Sequence, residues 1–317
     1  MRSHTYNDTL GSASIMARIL NGKALAAEIQ RELKDNIANW MSLGHRAPSI
    51  RCILVGDDPA SHTYVNKKIT AARNVGIDAE VIRHDVTISE EMLIAEIEQL
   101  NRDSDVDGIL VQLPIPENMS ERKVCCAVAP EKDVDGFHVT NIGKLCVDMS
   151  TLVPATALAV IEMLRRFNIE TLGRNAVVVG RSKNVGMPIA MMLHSDNKHE
   201  NRLGMDATVT ICHRYTPKEQ LAFFCQNADI IVSATGVPNL IKADMVKPGA
   251  TVIDVGITRV TDANGKSRLV GDVDYDGVST VAGAITPVPG GVGPMTVAML
   301  MQNTFQAARS LRDKSLK

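Results

Sequence analysis

The chain has 317 residues, of which 45% are hydrophobic and 3% aromatic, and 34 Lys+Arg against 36 Asp+Glu give a net charge of −2. This near-balance argues against a nucleic-acid-binding protein, because such proteins use a surplus of basic residues to displace counterions from phosphates. A chain of this length buries roughly 75% of its unfolded surface, which is enough for two domain cores.

The chain begins with a polar segment. Residues 1–16 are predicted to be a disordered or leader tail, and with Asp8 and one arginine they make a poor transit peptide. The six cysteines include no C-x-x-C pair, which is typical of free thiols in a reducing compartment. No apolar stretch approaches the ~20 residues that cross a bilayer, so no membrane association is expected.

The next part of the chain alternates helical and strand patterns. Helices are predicted over residues 21–35, 58–75 and 89–101, and strands over 51–56, 79–86 and 107–114. Strands that alternate with helices of this length indicate βαβ units and a parallel sheet.

The second half repeats this order without repeating the sequence. Helices are predicted over 156–168, from Gly186, from Pro217 and over 292–311, and strands over 175–180, 207–212, 228–236 and 250–256. We therefore predict two α/β domains with a cleft between them. Residues 17–148 form the first domain, joined by the C-terminal helix 292–317, and residues 149–291 form the second. The polar segment 131–156 supplies the hinge.

A glycine-rich turn joins the strand 175–180 to the following helix. Gly180, Arg181, Ser182, Val185 and Gly186 lie in the run GRSKNVGMP. Glycine at the end of a strand lets the backbone approach a pyrophosphate, and the helix presents its free N–H groups. This context predicts a Rossmann-like dinucleotide site, and a plain structural turn is the alternative. Further strand-end turns fit the same crevice: Ala234, Thr235 and Gly236, and Val255, Gly256 and Ile257.

The residues after the next strand bear on cofactor choice. This position holds His213 and Arg214 in place of the acidic residue that binds the ribose of NAD. A basic residue there favours the 2′-phosphate of NADP. The alternative is that Arg214 is a solvated loop residue.

Four polar residues of the first half are candidates for chemistry. Tyr64 and Lys68 lie four residues apart on one helix face, Gln112 interrupts an apolar strand, and Asp135 lies in a turn between the halves. An aromatic ring beside an amine suits a flat substrate and proton transfer, and Asp135 suits an amino-pyrimidine edge. The alternatives are an exposed lysine beside a packed tyrosine, and an ordinary Asp-Gly turn.

A segment rich in proline and glycine precedes the last helix. Residues 286–296 read TPVPGGVGPMT and include Pro287, Pro289, Gly290, Gly291 and Thr296. A rigid wall with few side chains suits a ligand that lies against backbone, although a plain loop fits the same residues.

Together, YVNKK (64–68), GILVQLP (108–114), KDVDGFH (132–138), GRSKNVGMP (180–188) and TPVPGGVGPMT (286–296) resemble the bifunctional methylenetetrahydrofolate dehydrogenase/cyclohydrolase family. The resemblance runs from about Ala17 to Leu311 and is nearest to the NAD-dependent mitochondrial branch of animals. It implies hydride transfer from 5,10-methylenetetrahydrofolate to a nicotinamide, followed by hydrolysis to 10-formyltetrahydrofolate in the same cleft.

The resemblance also implies roles for individual residues. Lys68 is the key group in hydrolysis, Tyr64 stacks on the substrate, Gln112 adjusts the lysine, and Asp135 holds the pterin. Other implied substrate contacts are Val65, Asn66, Val111, Leu113, Pro287, Pro289, Gly290 and Gly291. Implied dinucleotide contacts are the residues of the turns above together with His213, Arg214 and Thr296.

In the NAD-dependent branch, inorganic phosphate and Mg²⁺ take the place of a 2′-phosphate. The matching residues are Arg181 and Arg214 for phosphate and Asp148 and Asp206 for the metal. NADP as the preferred cofactor remains the alternative. Two departures from the family pattern are Thr70, where many members have lysine, and Ala157, where proline is common.

The resemblance further implies a homodimer. It also implies the mitochondrial matrix as the location, with the cytoplasm as the alternative. The implied substrates are one-carbon folates, including polyglutamylated forms. Two other interpretations stay open. The chain could be another two-domain NAD(P) dehydrogenase, such as one acting on shikimate, or a dinucleotide sensor without catalysis.

Overall fold

The computed structural model describes residues 16–198, 204–261, 265 and 267–315. The predicted leader, residues 1–16, lies outside these ranges except for Met16. In the first half the elements are β1 (Arg18–Ile19), α1 (Gly22–Ser42), β2 (Ser49–Val55), α2 (Pro59–Val75), β3 (Asp78–His84), α3 (Glu90–Arg102), β4 (Gly108–Val111), α4 (Glu121–Ala127) and α5 (Val139–Cys146).

The second half contains more strands. Its elements are α6 (Ala155–Arg166), β5 (Asn175–Val179), α7 (Gly186–His194), β6 (Thr208–Cys212), α8 (Lys218–Gln226), β7 (Ile230–Ser233), β8 (Thr251–Asp254), β9 (Thr258–Thr261), β10 (Ser267–Val270), α9 (Tyr275–Val278), β11 (Ala284–Ile285) and α10 (Val292–Ser315). None of the helices in the described part of the chain combines the length and apolar character needed to cross a membrane.

The smaller sheet confirms the parallel arrangement predicted for the first half. Its order is β3-β2-β4, with β2 parallel to both neighbours. Helix α2 begins cleanly after β2 because the Asp58 side chain accepts a hydrogen bond from Ser61 N and Pro59 opens the first turn. Gly76 ends the helix in the left-handed conformation. These caps fix the helix that carries Tyr64 and Lys68.

The larger sheet has the order β1-β11-β8-β7-β5-β6, and all of its pairs are parallel. Strands β6 and β7 lie on opposite sides of β5, so the strand order changes direction there. At such a point a crevice opens at the carboxyl ends of the strands, where α/β folds bind ligands. Strand β1 precedes the first helix but pairs with β11, with Arg18 opposite Ala284. The first described strand of the chain therefore belongs to the larger sheet.

Helix α10 connects the two halves. It packs against α1, α2 and α6, and its apolar residues join one core cluster with side chains of both halves. The buried Asn303 donates hydrogen bonds to Val134 O at 2.9 Å and Val153 O at 2.8 Å. One side chain thus holds both ends of the segment that runs between the halves.

Several elements differ from the sequence predictions. The polar segment 131–156 contains a helix, α5, which His138 caps by accepting a hydrogen bond from Thr140 N. Helix α1 continues to Ser42 rather than ending near residue 35, because the buried Ile37 extends its apolar stripe. The antiparallel pair β9–β10 was not predicted. Short elements carry too few periods for their pattern to stand out.

Gly22 provides a test of the packing where α1 begins. A methyl group at Gly22 would lie 2.0 Å from Gly291 O, so we expect Gly22→Ala to lower the free energy of unfolding by about 2–4 kcal/mol. Gly143 in α5 has no atom within 4 Å of such a methyl group, so Gly143→Ala should be neutral or stabilising. Urea unfolding measures the free energy of unfolding of both variants. Equal stability of the two would contradict the close contact between Gly22 and Gly291.

Candidate active site

Helix α2 and the end of strand β4 bring Lys68 and Gln112 together. Lys68 Nζ donates a hydrogen bond to Gln112 Oε1 at 3.0 Å. Gln112 Nε2 in turn donates to Leu113 O at 2.6 Å, which fixes the orientation of the amide. The amine is half-buried and is therefore held at a defined position at the carboxyl edge of the small sheet.

Tyr64 lies one helical turn before Lys68 and leaves 39% of its side chain exposed, so its ring is open to a ligand. Its neighbour Val65 is fully buried in the core, whereas Asn66 is exposed. The sequence-predicted contacts of α2 are therefore not equivalent. Tyr64 and Lys68 share one face, and the Val65 side chain is not available to a ligand. Val111 is likewise buried and can offer only backbone.

Asp135 lies in a turn that its neighbours hold rigidly. The buried Asp133 accepts hydrogen bonds from Gly136 N at 3.1 Å and from His138 N at 2.7 Å. Gly136 has a φ of 74°, and a methyl group there would lie 2.5 Å from Pro154 N. The turn therefore requires glycine at this position.

The pKa of Asp135 is raised to about 6 because burial disfavours the carboxylate. The Lys68 ammonium opposes this rise and Asp133 adds to it. Burial also raises the pKa of the Cys52 thiol to about 12, with opposing contributions from Lys68 and Asp135. Lys68 and Asp135 thus interact electrostatically at one site, above an inert thiol.

The proline-glycine segment forms a wall beside the beginning of α1. Lys23 N donates to Gly290 O at 2.8 Å, and Gly291 is buried against Gly22. Pro289 is exposed and Pro287 half-buried, so the two prolines are available to a ligand and Gly291 is not. Thr296, one helical turn into α10, donates to Val292 O at 3.2 Å.

The glycine-rich turn after β5 is built by close backbone approach. Gly180 has a φ of 125°, and a methyl group there would lie 2.3 Å from Ala234 O. A methyl group at Gly186 would lie 2.2 Å from Gly180 O. No side chain caps the beginning of α7. Met187 N donates to Ser182 O at 3.0 Å and Pro188 has no N–H, so in the first turn the N–H of Gly186 is the group that an anion could bind. This cradle of backbone fits a dinucleotide pyrophosphate.

Arg181 and Arg214 lie in neighbouring loops at the same edge of the larger sheet. Gly180 N donates to Cys212 O at 2.8 Å, which ties together the loops that follow β5 and β6. The Arg181 guanidinium lies over the Tyr215 ring, 5.8 Å from its centroid, and Arg214 is exposed beside that ring. His213 Nδ1 accepts from Tyr215 N at 3.2 Å. Tyr215, 74% exposed, was not among the predicted site residues.

The two residues predicted to hold Mg²⁺ lie in different parts of the fold. Asp206 precedes β6 and Arg214 follows it, so they lie at opposite ends of a strand about 13 Å long. Asp148 follows α5, and its Oδ1 is buried without a hydrogen-bond partner, as expected of a carboxylate that awaits a cation. Among the described residues, no three His, Cys, Asp or Glu side chains cluster in a way that could hold a metal ion. Of the two predicted residues, Asp148 is the one with an oxygen left without a partner, and one such oxygen is not by itself a metal site.

A pair of buried acids beneath the cofactor turns was missed by the sequence analysis. Asp272 accepts hydrogen bonds from Ser233 Oγ and Thr235 N, and Asp254 accepts from Gly256 N. Burial raises the pKa of Asp254 to about 7, and the nearby Asp272 adds to the rise against the backbone donors. The sequence did contain a signal for Asp254, because it is an acidic residue at the end of the apolar strand TVID.

One hydrogen bond crosses from the first half to the glycine-rich turn. Asn184 Nδ2 donates to Glu121 Oε1 at 2.8 Å. Helix α4 thus contacts the dinucleotide turn directly, which brings the first half against the dinucleotide-binding edge of the larger sheet.

A parallel sheet of this order, with a backbone cradle at its carboxyl edge, defines a two-domain α/β protein of the dinucleotide-binding class. Sequence models of the tetrahydrofolate dehydrogenase/cyclohydrolase family match both parts of the chain, the catalytic domain over residues 20–135 and the NAD(P)-binding domain over residues 154–312. The chain belongs to this family.

Individual relatives agree with this assignment. The human mitochondrial bifunctional methylenetetrahydrofolate dehydrogenase/cyclohydrolase 2 is 58% identical over 93% of this chain and 85% of its own length. A solved 5,10-methylenetetrahydrofolate dehydrogenase from the silkworm Bombyx mori is 70% identical, with a TM-score of 0.90 over 94% of this chain and 100% of its own. The Trypanosoma brucei dehydrogenase-cyclohydrolase, solved with NADP and an inhibitor, is 38% identical, with a TM-score of 0.87 over 94% of this chain and 99% of its own.

Asp135 gives the protein a pH-dependent stability. Its pKa rises from 3.8 to about 6 on folding, so the folded state binds more protons in this window, and the stability that Asp135 contributes falls as pH rises through it. Asp135→Asn cannot ionise, so its free energy of unfolding relative to the unmodified protein should rise by about 2 kcal/mol between about pH 4 and 7.

Denaturant unfolding at several pH values measures this difference. Asp35→Asn, at an exposed position of α1, controls for the loss of one negative charge. A constant difference between Asp135→Asn and the unmodified protein over the whole range would show that Asp135 is not protonated on folding.

Proposed function

We propose that the protein oxidises 5,10-methylenetetrahydrofolate with a nicotinamide dinucleotide and hydrolyses the resulting methenyl compound to 10-formyltetrahydrofolate. The observation that carries the proposal is the Lys68–Gln112 hydrogen bond, beside Asp135 and across the cleft from the dinucleotide cradle. Family membership supports it, and relatives that carry these two activities in their names are 57–58% identical over 93% of this chain.

Substrate binding is assigned to groups at the edge of the small sheet and along the proline-glycine wall. The Asp135 carboxylate accepts hydrogen bonds from the amino edge of the pterin, and the Tyr64 ring stacks on the aminobenzoyl group. Leu113, Asn66, Pro287, Pro289 and Gly290 line the pocket. Val65, Val111 and Gly291 contribute through backbone, since their positions are buried.

In the first step, hydride leaves the one-carbon bridge for the nicotinamide, and a delocalised methenyl cation remains. The protein's part is to hold the two reactants in contact. The cradle of Gly180 and Gly186 fixes one, and Asp135 with Tyr64 fixes the other. Such positioning converts a bimolecular reaction into an effectively unimolecular one.

In the second step, water adds to the methenyl carbon, the bond from that carbon to N5 breaks, and one proton is released overall. Lys68 accepts a proton from the attacking water and returns one to N5 as it leaves. Gln112 Oε1 keeps the amine aimed at the reacting carbon through the 3.0 Å hydrogen bond.

Two cofactor modes fit the arginine pair. With NAD, Arg181 and Arg214 bind inorganic phosphate, for which a pair of guanidinium groups is well suited. With NADP, the same pair binds the 2′-phosphate. Arg214 is exposed, so it can reach either a free phosphate or a 2′-phosphate, and its position supports both cofactor modes equally. Mg²⁺ remains part of the NAD-dependent proposal, with Asp148 as the residue that has an oxygen left without a partner, and no step depends on it.

The setting of the enzyme is inferred from its relatives. The human and chicken relatives are named as mitochondrial proteins, which supports the mitochondrial matrix for this chain. A homodimer is proposed because symmetric pairing is common among such enzymes. Polyglutamylated folates are proposed as substrates together with the monoglutamate.

Lys68→Met tests the assignment of hydrolysis. The variant should lose methenyltetrahydrofolate hydrolysis by about 100-fold or more, since it removes the amine that Gln112 holds in place to move the protons, and it should keep its dinucleotide affinity. Lys67→Met, at the exposed neighbouring position, controls for the loss of a lysine. Near-normal hydrolysis by Lys68→Met would remove Lys68 from the mechanism.

Dehydrogenase rates with NAD and NADP, each with and without phosphate and Mg²⁺, test the cofactor mode. The NAD-dependent proposal expects both ions to raise the NAD-linked rate and phosphate to leave the NADP-linked rate unchanged. Arg214→Ala should lose the phosphate response, and Arg102→Ala, on the distant α3, should keep it. If neither phosphate nor Mg²⁺ changes the NAD-linked rate, the NAD-dependent mode is contradicted and NADP is left as the cofactor.

A further inference from the structure

We propose that Asp272 and Asp254 are positioning residues that hold the turns of the dinucleotide-binding edge in their binding conformation, with Asp272 setting the turn at Thr235 and Gly236. The inference rests on the proposed function for its substrates. Neither acid has a role in the chemistry described above, and both lie at the carboxyl edge of the larger sheet.

Asp272 acts on the turn after β7. Its Oδ2 accepts hydrogen bonds from Ser233 Oγ at 3.0 Å and from Thr235 N at 2.6 Å. Thr235 Oγ1 then accepts from Val237 N at 3.1 Å, so the whole turn depends on the orientation of Thr235. One carboxylate oxygen thus fixes a turn that the sequence places against the dinucleotide.

Asp254 acts on the turn after β8 and on Asp272 itself. Its Oδ1 accepts from Gly256 N and Asp272 N, both at 3.0 Å, and its Oδ2 accepts from Val273 N at 2.9 Å. Asp254 N donates to Thr286 Oγ1 at 2.7 Å, at the start of the proline-glycine wall. The pair therefore connects three binding segments.

Two glycines show how closely the acids press against backbone. A methyl group at Gly256 would lie 2.1 Å from Asp272 Oδ1, and one at Gly271 would lie 1.9 Å from Asp254 Oδ2. Neither acid can move toward these segments, and no side chain larger than hydrogen fits there. The pair and the backbone around it form one rigid unit.

The arrangement costs stability. Both carboxyls are buried, Asp272 Oδ1 has no hydrogen-bond partner, and no ion pair to either acid is present among the described residues. Burying acids without a cation is unfavourable. Local costs of this kind are typical of functional sites, where the surroundings maintain a geometry that binding requires. The acids are too buried to touch the ligand, so they act through the backbone of the turns.

Binding of reduced dinucleotide, followed by nicotinamide fluorescence, tests this role. Asp272→Ala leaves the Thr235 N–H and the Ser233 hydroxyl without an acceptor and should weaken binding about tenfold or more. Asp272→Asn retains an acceptor oxygen and should stay within about threefold of the unmodified protein. Methenyltetrahydrofolate hydrolysis should change less than about twofold in both variants, since Lys68 lies on the other side of the cleft.

Asp107→Asn is the matched control, because Asp107 is a buried acid that binds Arg46 and Ser49 N far from the cradle. It should destabilise the protein and leave dinucleotide affinity unchanged. The inference is overturned if Asp272→Ala binds normally, if Asp272→Asn loses as much affinity as Asp272→Ala, or if hydrolysis falls in parallel with binding.

If Asp272→Ala does not fold, Ser233→Ala decides the matter. It removes one donor to Asp272 Oδ2 and should weaken binding by about threefold, with hydrolysis unchanged. Unchanged affinity would overturn the inference. Failure of the proposed function is distinguishable, because an unmodified protein that binds dinucleotide but converts no folate disproves the function and still allows the binding comparison.

Discussion

The packing of α10 between the two halves is the constraint on which the rest of the structure depends. A site between two sheets keeps fixed walls only if some element packs on both. Helix α10 shares a core with α1 and α6, and its Asn303 holds the chain on both sides of the hinge segment. The wall of Pro287 and Pro289 leads directly into this helix, so the core and the site are parts of one unit.

The two carboxyl edges that face this cleft differ in how they are made. The first edge presents side chains, Lys68, Gln112 and Asp135, each held by a hydrogen bond or a rigid turn. The second edge presents mostly backbone, shaped by Gly180 and Gly186 and held from beneath by Asp254 and Asp272. This division suits a reaction in which one partner is recognised by its polar groups and the other by its phosphates.

The sequence predicted the alternation of elements, the parallel sheets and the glycine-rich turn well, because these features depend on local periodicity and on residues that are adjacent in the chain. It also identified Lys68 and Gln112, which lie 44 positions apart, as candidates from their helix and strand context, and the resemblance to a family supplied their roles. The predicted strand 207–212 already separates Asp206 from Arg214, which the metal assignment overlooked. The sequence could not show that Asp272 reaches the turn of Thr235, because that contact joins segments 37 residues apart and no local pattern encodes it. The pairing of β1 with β11 was hidden for the same reason.

The central claim is that one cleft carries out both reactions in succession. Its most direct test is the stoichiometry of products formed by a single preparation supplied with 5,10-methylenetetrahydrofolate and oxidised dinucleotide, corrected for spontaneous hydrolysis of the methenyl compound. The account predicts equal amounts of reduced dinucleotide and 10-formyltetrahydrofolate. Reduced dinucleotide accompanied by methenyltetrahydrofolate as the final product, or no reduction with either dinucleotide, would contradict it.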